Sequence, residues 1–185
     1  MKGIKIVIII FLFPGLSGCQ HRLVPVLKEY MGKEVPILQC LDTSIYDKYK
    51  VDSLDFYLMV HWVDSTNCTK CQLRLDSWMY LLTDMNKLSR KKVKLLFLTS
   101  LYNLDKVKKE IVHTPFFVEK IDSSLFTKIG GMLEYRELNT FLIDERQIIR
   151  MIGNPIRSQA MRDKVSSINS IFCLDASPSK FNFVE

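Results

Sequence analysis

The pattern of apolar and polar positions divides the chain into alternating strands and helices. Two almost unbroken apolar stretches, Asp55–Val63 and Val93–Leu98, predict strands that are covered on both faces. Between them a helix begins at Cys68, with a buried face predicted by apolar residues at steps of three and four: Leu75, Trp78, Leu81, Leu82, Met85 and Leu88. Because a single helix joins the two strands, we expect them to be parallel.

The second half of the chain continues this alternation and ends in a hairpin. Its predicted elements are a helix at Leu104–Val112, a strand at Phe116–Ile121, a helix at Ser123–Ile129 ended by Gly130-Gly131, hairpin strands at Thr140–Ile143 and Ile148–Ile152, and a helix at Ser158–Phe172. Upstream, the pattern predicts a short helix at Val26–Met31 and an edge strand at Val35–Leu38. The whole order predicts an α/β fold.

The first 19 residues have the features of a bacterial lipoprotein signal. Lys2 and Lys5 precede an apolar stretch, Ile6–Phe13, that is too short to span a bilayer as a mature helix. The ending Leu16-Ser17-Gly18-Cys19 is similar to a lipobox, in which the cysteine is lipidated and becomes the first mature residue. We therefore expect a signal peptide (1–18), a lipidated extension and linker (19–51), a main domain (52–173) and a tail (174–185).

Cleavage there leaves 167 residues, enough for one domain with its own core. The net charge of +6 falls to +4 because the signal carries two lysines, and the remaining basic residues are dispersed. That distribution favours a solvated surface over a nucleic-acid interface, so no nucleic-acid partner is expected. The expected location is the bacterial cell envelope, where Cys19 holds the protein on a membrane facing the periplasm or the exterior.

Cys68 and Cys71 carry the strongest chemical signal in the sequence. A Cys-x-x-Cys pair in the first turn of a helix lies near unpaired backbone N–H groups, which favour a thiolate. Cys68, expected nearer to solvent, is the predicted nucleophile, and Cys71 is the predicted resolving thiol. A disulfide without turnover and a metal site are also compatible with the pair, although zinc usually requires four ligands.

With these elements in order, the chain resembles the thioredoxin superfamily over about Asp52–Phe172. The resemblance depends on the strand, Cys-x-x-Cys and helix unit, on Asn139–Asp144 before a hairpin turn, and on Gly153-Asn154-Pro155 after it. Within the superfamily, the chain is most similar to the membrane-tethered TlpA-like or ResA-like lipoproteins. The resemblance implies a three-layer fold, with a central mixed sheet flanked by helices.

One position departs from the family pattern. Relatives carry a cis-proline that faces the dithiol and docks substrate, whereas this chain has Asn139 followed by the matching Thr140. A cis bond before a non-proline residue costs about 2.5 to 4 kcal/mol, so a trans bond is expected. Asn139 and Thr140, with Trp62 as an apolar wall, are the candidate docking residues. The missing proline leaves open a non-catalytic binding module and a metal site.

The predicted function is extracytoplasmic thiol-disulfide exchange with no bound cofactor. Its partners would be protein thiols or disulfides and a second redox protein that supplies or accepts electrons, with the direction of flow set by reduction potential. Ser65 at three residues before Cys68 is similar to a peroxiredoxin motif, but His61 stands where that motif has proline. Cys40 and Cys173 form either a structural disulfide or two separate thiols.

Overall fold

The computed structural model of the chain describes residues 20–37, 56–64, 68–88 and 91–163. Cys19, Cys40, Ser65, Cys173 and the predicted domain ends lie outside these ranges. The elements are α1 (Gln20–Tyr30), β1 (Phe56–Val63), α2 (Thr69–Leu73), α3 (Leu75–Leu88), β2 (Lys92–Thr99), α4 (Leu101–Ile111), β3 (Phe117–Lys120), α5 (Ser123–Leu133), β4 (Thr140–Ile143) and β5 (Ile149–Ile152). Residues 159–163, the start of the predicted last helix, are helical.

The five strands form one mixed sheet in the order β3-β2-β1-β4-β5. β1 pairs parallel with β2 along its whole length, β2 pairs parallel with β3, and β4 is antiparallel to both β1 and β5. The parallel pair and the hairpin are both confirmed. The dithiol helix therefore begins at the carboxyl end of the central strand β1.

Alternate residues of β1 enter separate cores on the two faces of the sheet. Leu58 and Val60 belong to the core beneath α1 and α5, whereas Tyr57 and Met59 belong to the core beneath α3. A strand buried on both faces has no polar side to show in its sequence, which explains its continuous apolar stretch. The predicted three-layer α/β fold, a central mixed sheet flanked by helices, is confirmed.

The prediction of a single helix after Cys68 is wrong in one respect, because the helix is divided at Arg74 into α2 and α3. Arg74 adopts a left-handed conformation (φ 42°, ψ 48°) that ends α2, and its carbonyl accepts the N–H of Trp78 at 3.2 Å as α3 begins. Leu73 and Trp78 are both fully buried on either side of this break. The apolar spacing from Leu75 onward hides the division, and neither glycine nor proline marks it.

The break predicted at Gly130-Gly131 is also wrong, because α5 continues to Leu133. A Cβ atom on Gly131 would lie 2.9 Å from the hydroxyl oxygen of Tyr30 on α1. Glycine is therefore compatible with helix here because it allows the close approach of a second helix. The expected short helix at Val26–Met31 is likewise longer, beginning at Gln20 and including Pro25.

Of the segment expected as an edge strand at Val35–Leu38, the structure describes residues 35–37, which lie beside β5 without forming a strand. Only Glu34 makes a β-bridge, to Ile148, and Val35 donates its N–H to the carbonyl of Gln147 at 2.8 Å. The edge position is correct, but the segment leaves the sheet after these contacts, and Val35 and Ile37 are buried in the core. In the described ranges, no helix is long and apolar enough to cross a membrane.

Candidate functional site

Cys68 and Cys71 form a disulfide at the start of α2, with their Cα atoms 5.3 Å apart. Cys68 is the N-cap residue, and Cys71 lies one turn into the helix. Both residues are exposed to solvent. The pair therefore lies at the surface of the fold, at the amino end of α2.

The backbone of α2 is directed toward the sulfur of Cys68. The N–H of Cys71 donates to Cys68 Sγ over 3.3 Å. When the disulfide is reduced, the same donor would stabilise a negative charge on Cys68 more than on a thiol, because hydrogen bonds to ionised acceptors are stronger. The exposed Lys70 adds a positive charge on the turn between the thiols. This arrangement favours Cys68 as the nucleophile.

Two polar contacts, which the sequence did not indicate, fix α2 against its neighbours. Gln72 binds the backbone of Asp64 twice, accepting its N–H at 2.9 Å and donating to its carbonyl at 3.1 Å. Thr69, between the two cysteines, donates its hydroxyl to Asn103 Oδ1 at 3.2 Å. Because both contacts join residues that are distant in sequence or separated by a loop, no local motif could have identified Gln72 or Asn103.

Beneath the site, His61 on β1 contacts Thr140 on β4. His61 Nδ1 and Thr140 Oγ1 lie 2.7 Å apart, and both side chains are buried. Burial, with a smaller effect of the positive charge on Arg157, lowers the pKa of His61 to about 3. The ring is therefore neutral at physiological pH and is packed against Trp78 and Phe97.

Asn139 precedes β4 and is joined to Trp62 rather than to the thiols. Its carbonyl accepts the N–H of Trp62 at 2.8 Å, and its side-chain Nδ2 donates to the Trp62 carbonyl at 3.4 Å. The described residues contain no cis peptide bond, so the bond from Leu138 to Asn139 is trans as expected. The N–H of Leu138 donates to the Tyr135 carbonyl at 2.9 Å. The backbone groups at this position are thus used within the fold.

A cavity of about 110 Å³ separates the start of β4 from α2. Trp62 and Asn139 line it from the sheet, and Gln72 lines it from the dithiol helix. The structure therefore brings two of the three predicted docking residues together near the helix of Cys68 and Cys71. The cysteines are not in the lining of this cavity, and Thr140 lies behind Asn139, to which its hydroxyl donates at 3.3 Å.

Charged side chains of both signs also line the cavity. Arg136 and Arg157 are the basic ones, and Asp64 and Glu134 are the acidic ones. Burial, and then repulsion by Arg136 and Arg74, holds the pKa of Arg157 below its ordinary value, while Glu137 acts in the opposite direction. In the part of the chain that the structure describes, no group of three or more metal-binding side chains is found.

No protein-family model matches the chain, and no curated protein matches it in sequence. Solved structures with a similar course of the chain include a thioredoxin-like protein from Bacteroides caccae (14% identity, 62% of this chain and 41% of that chain, TM-score 0.43). A second is a thiol:disulfide interchange protein from Bacteroides sp. (10% identity, 65% of this chain and 77% of that chain, TM-score 0.44). A third is the thioredoxin domain of a thiol-disulfide oxidoreductase from Bacteroides vulgatus (15% identity, 64% of this chain and 82% of that chain, TM-score 0.41). The chain spans less than half of the Bacteroides caccae protein.

Proposed function

We propose that this protein is a lipid-anchored, extracytoplasmic thiol-disulfide oxidoreductase. The observation that carries the proposal is the exposed Cys68–Cys71 disulfide in the first turn of α2, with the Cys71 N–H directed at Cys68 Sγ. In the reducing direction, the Cys68 thiolate attacks a substrate disulfide and releases one substrate thiolate. The Cys71 thiolate then attacks Cys68, which releases the second thiolate and restores the Cys68–Cys71 disulfide.

Single-turnover reactions of the reduced full chain in detergent test this mechanism. Bis(2-hydroxyethyl) disulfide is the oxidant, and mass spectrometry counts thiols and adducts. The wild type should lose two thiols, and Cys71→Ser should stop at a mixed disulfide on Cys68. Cys68→Ser should react at least tenfold more slowly. Equal reaction of the wild type and a Cys68→Ser/Cys71→Ser double variant would contradict the proposal, because the other cysteines would then account for the reaction.

A non-catalytic binding module is the second candidate function, and it is favoured by the geometry at Asn139. The Asn139 carbonyl and the N–H of Leu138 are occupied by Trp62 and Tyr135, so these two backbone groups already have partners within the fold where an extended substrate would pair. Exchange that is absent in the wild type but appears in Asn139→Pro would support this module. Exchange in the wild type would exclude it.

The lipid anchor is proposed from the sequence Leu16-Ser17-Gly18-Cys19. Expression in a bacterial host with labelled palmitate should give a labelled protein in the membrane fraction, and Cys19→Ser should lose the label. An inhibitor of signal peptidase II should leave a longer precursor. Unlabelled wild-type protein would contradict the anchor without affecting the exchange mechanism.

A further inference from the structure

The cavity between α2 and the start of β4 has a polar floor, and charged side chains of both signs line it. His61 and Asn139, both more than nine-tenths buried, lie at the sheet side of this space. Gln72 faces it from α2, and Arg136 and Arg157 complete the lining. The Gln72 and Asn139 amide nitrogens already donate to the carbonyls of Asp64 and Trp62, so the guanidinium groups of Arg136 and Arg157 are the donors of this lining that suit an oxygen-rich ligand.

The size of the cavity restricts that ligand to a small group. Its volume is about 110 Å³, and a carboxylate group is small enough to enter such a space. The group that enters would therefore belong to a larger molecule that remains mostly outside.

The two arginine side chains of the cavity can bind an anion. Within residues 20–37, 56–64, 68–88 and 91–163, no ion pair is formed by Arg74, Arg136 or Arg157. Asp64 and Glu134 also line the cavity, and Glu137 attracts Arg157. Repulsion from Arg136 and Arg74 nevertheless exceeds the attraction by Glu137 in its effect on the Arg157 pKa. A bound anion would relieve that repulsion, and guanidinium groups bind carboxylates well.

The cavity also lies where an anion could assist exchange at the thiols. Gln72, which lines the cavity, directly follows Cys71, so the cavity and the exposed disulfide share one short segment. Recognition through the backbone near Asn139 is limited, because the Leu138 N–H and the Asn139 carbonyl already have partners. Side-chain recognition of a charge can replace that contact.

We propose that this cavity binds the carboxylate of an anionic disulfide or thiol substrate and holds the substrate sulfur near Cys68. The proposal rests on the exchange function proposed above and adds the substrate class. In the reaction with an anionic disulfide, the Cys68 thiolate forms a bond to one substrate sulfur, and the substrate S–S bond breaks to release a thiolate. Attack by Cys71 releases the second thiolate, so the substrate gains the two electrons that the dithiol loses.

Three small disulfides of similar length but different charge test the proposal. Reduced full chain in detergent is mixed with 3,3′-dithiodipropionate, bis(2-hydroxyethyl) disulfide or cystamine, which carry negative, zero and positive charge. Each rate is divided by the rate of the same compound with dithiothreitol, to remove intrinsic reactivity. The normalised rate should be at least tenfold higher for dithiodipropionate than for cystamine, with the neutral compound between them.

Matched variants separate the effect of the arginines in the cavity from the effect of the net charge of the protein. Arg136→Gln/Arg157→Gln should reduce the preference for dithiodipropionate to less than threefold. Lys108→Gln/Lys109→Gln removes the same two charges from the exposed last turn of α4 and should keep the preference. Arg157→Lys, which keeps the charge, should retain most of it. Equal normalised rates of the three compounds with the wild type would overturn the proposal while leaving the exchange function intact.

Direct binding gives a result even if no exchange occurs. Propionate, a carboxylate without sulfur, is titrated into the oxidised full chain, and the side-chain amide NMR signals of Gln72 and Asn139 are followed. Saturable shifts in the wild type that are absent in Arg136→Gln/Arg157→Gln support the site. Unchanged signals at 50 mM propionate would overturn it. Disulfide-linked peptides in which Cys is next to Glu or next to Gln are then compared as substrates. A higher rate with the Glu peptide indicates a carboxylate on a protein substrate, and equal rates indicate a small molecule.

Discussion

His61 and Thr140 are joined through their side chains across the directly paired strands β1 and β4, with Nδ1 and Oγ1 2.7 Å apart. The Thr140 hydroxyl donates to Asn139 Oδ1, which leaves its oxygen to accept the N–H of His61. Asn139 in turn donates to the Trp62 carbonyl. A chain of hydrogen bonds thus connects the buried histidine to Asn139, immediately before β4, and to the backbone of Trp62.

Acid should weaken the fold through His61. Its folded-state pKa of about 3 is below the ordinary value of 6.5, so the unfolded chain binds the proton more tightly. The stabilisation is complete above pH 6.5 and is lost as the pH falls toward 3. The free energy of unfolding in urea should fall by up to about 1.4 kcal/mol per pH unit from this group. His61→Phe should flatten that part of the profile, whereas a change at the exposed His113 to Gln should not.

Removing the Asp144 carboxylate should destabilise the hairpin turn. This buried group accepts the N–H groups of Arg146 and Ile148 at 2.9 Å and pairs with the Arg150 guanidinium at 2.6 Å. Asp144→Ala should cost about 3 kcal/mol in urea unfolding, because a buried charge and two N–H groups lose their partner. Asp84→Ala removes an exposed partner of Lys87 and should cost less than about 1 kcal/mol. Similar costs for both would contradict this prediction.

Gln72→Ala should loosen the connection between α2 and the end of β1. The change removes both hydrogen bonds to the Asp64 backbone, at about 1 kcal/mol each. Hydrogen exchange at the Asp64 amide should accelerate at least fivefold, while the Trp78 amide, which belongs to α3, keeps its protection. Gln159→Ala, at an exposed position, is the control and should leave both amides unchanged.

Substitution by alanine should change the stability of the protein differently at the two neighbouring glycines of α5. At Gly130, the new Cβ would lie 3.2 Å from the ring of Phe126, which is half exposed and can move. Gly130→Ala should therefore keep the gain in helix propensity, which is up to about 1 kcal/mol. At Gly131, the contact is with the buried Tyr30 hydroxyl at 2.9 Å. Gly131→Ala should therefore be less stable than Gly130→Ala in thermal unfolding.

A double variant isolates that contact. Tyr30→Phe removes the hydroxyl oxygen that meets the new Cβ atom, so Gly131→Ala should be more favourable in the Tyr30→Phe background than in the wild type. A difference of about 1 kcal/mol is expected between the two backgrounds. If Gly131→Ala has the same effect in both, the hydroxyl does not limit the approach of α1 to α5.

The order of strands and helices could be predicted from the amino-acid sequence, because periodic burial at steps of two and of three to four is a local property of the chain. The Cys68–Cys71 pair at a helix start and the trans bond before Asn139 were equally predictable. The break at Arg74 was not, because one left-handed residue preserves the apolar spacing of α3. The continuation of the helix through Gly131 was not predictable either, because Tyr30 comes from a distant segment.

The surroundings of the dithiol depend on how distant segments meet in the folded chain. Asn103 reaches Thr69 because α4 begins beside α2, and Arg136 and Arg157 meet at one cavity because α5 and β5 both end near it. These residues are far apart in sequence and have no motif, so their effects on charge and hydrogen bonding exist only after the sheet has formed. The sequence placed two thiols on a helix, and the fold placed a cavity lined by two arginine side chains next to that helix.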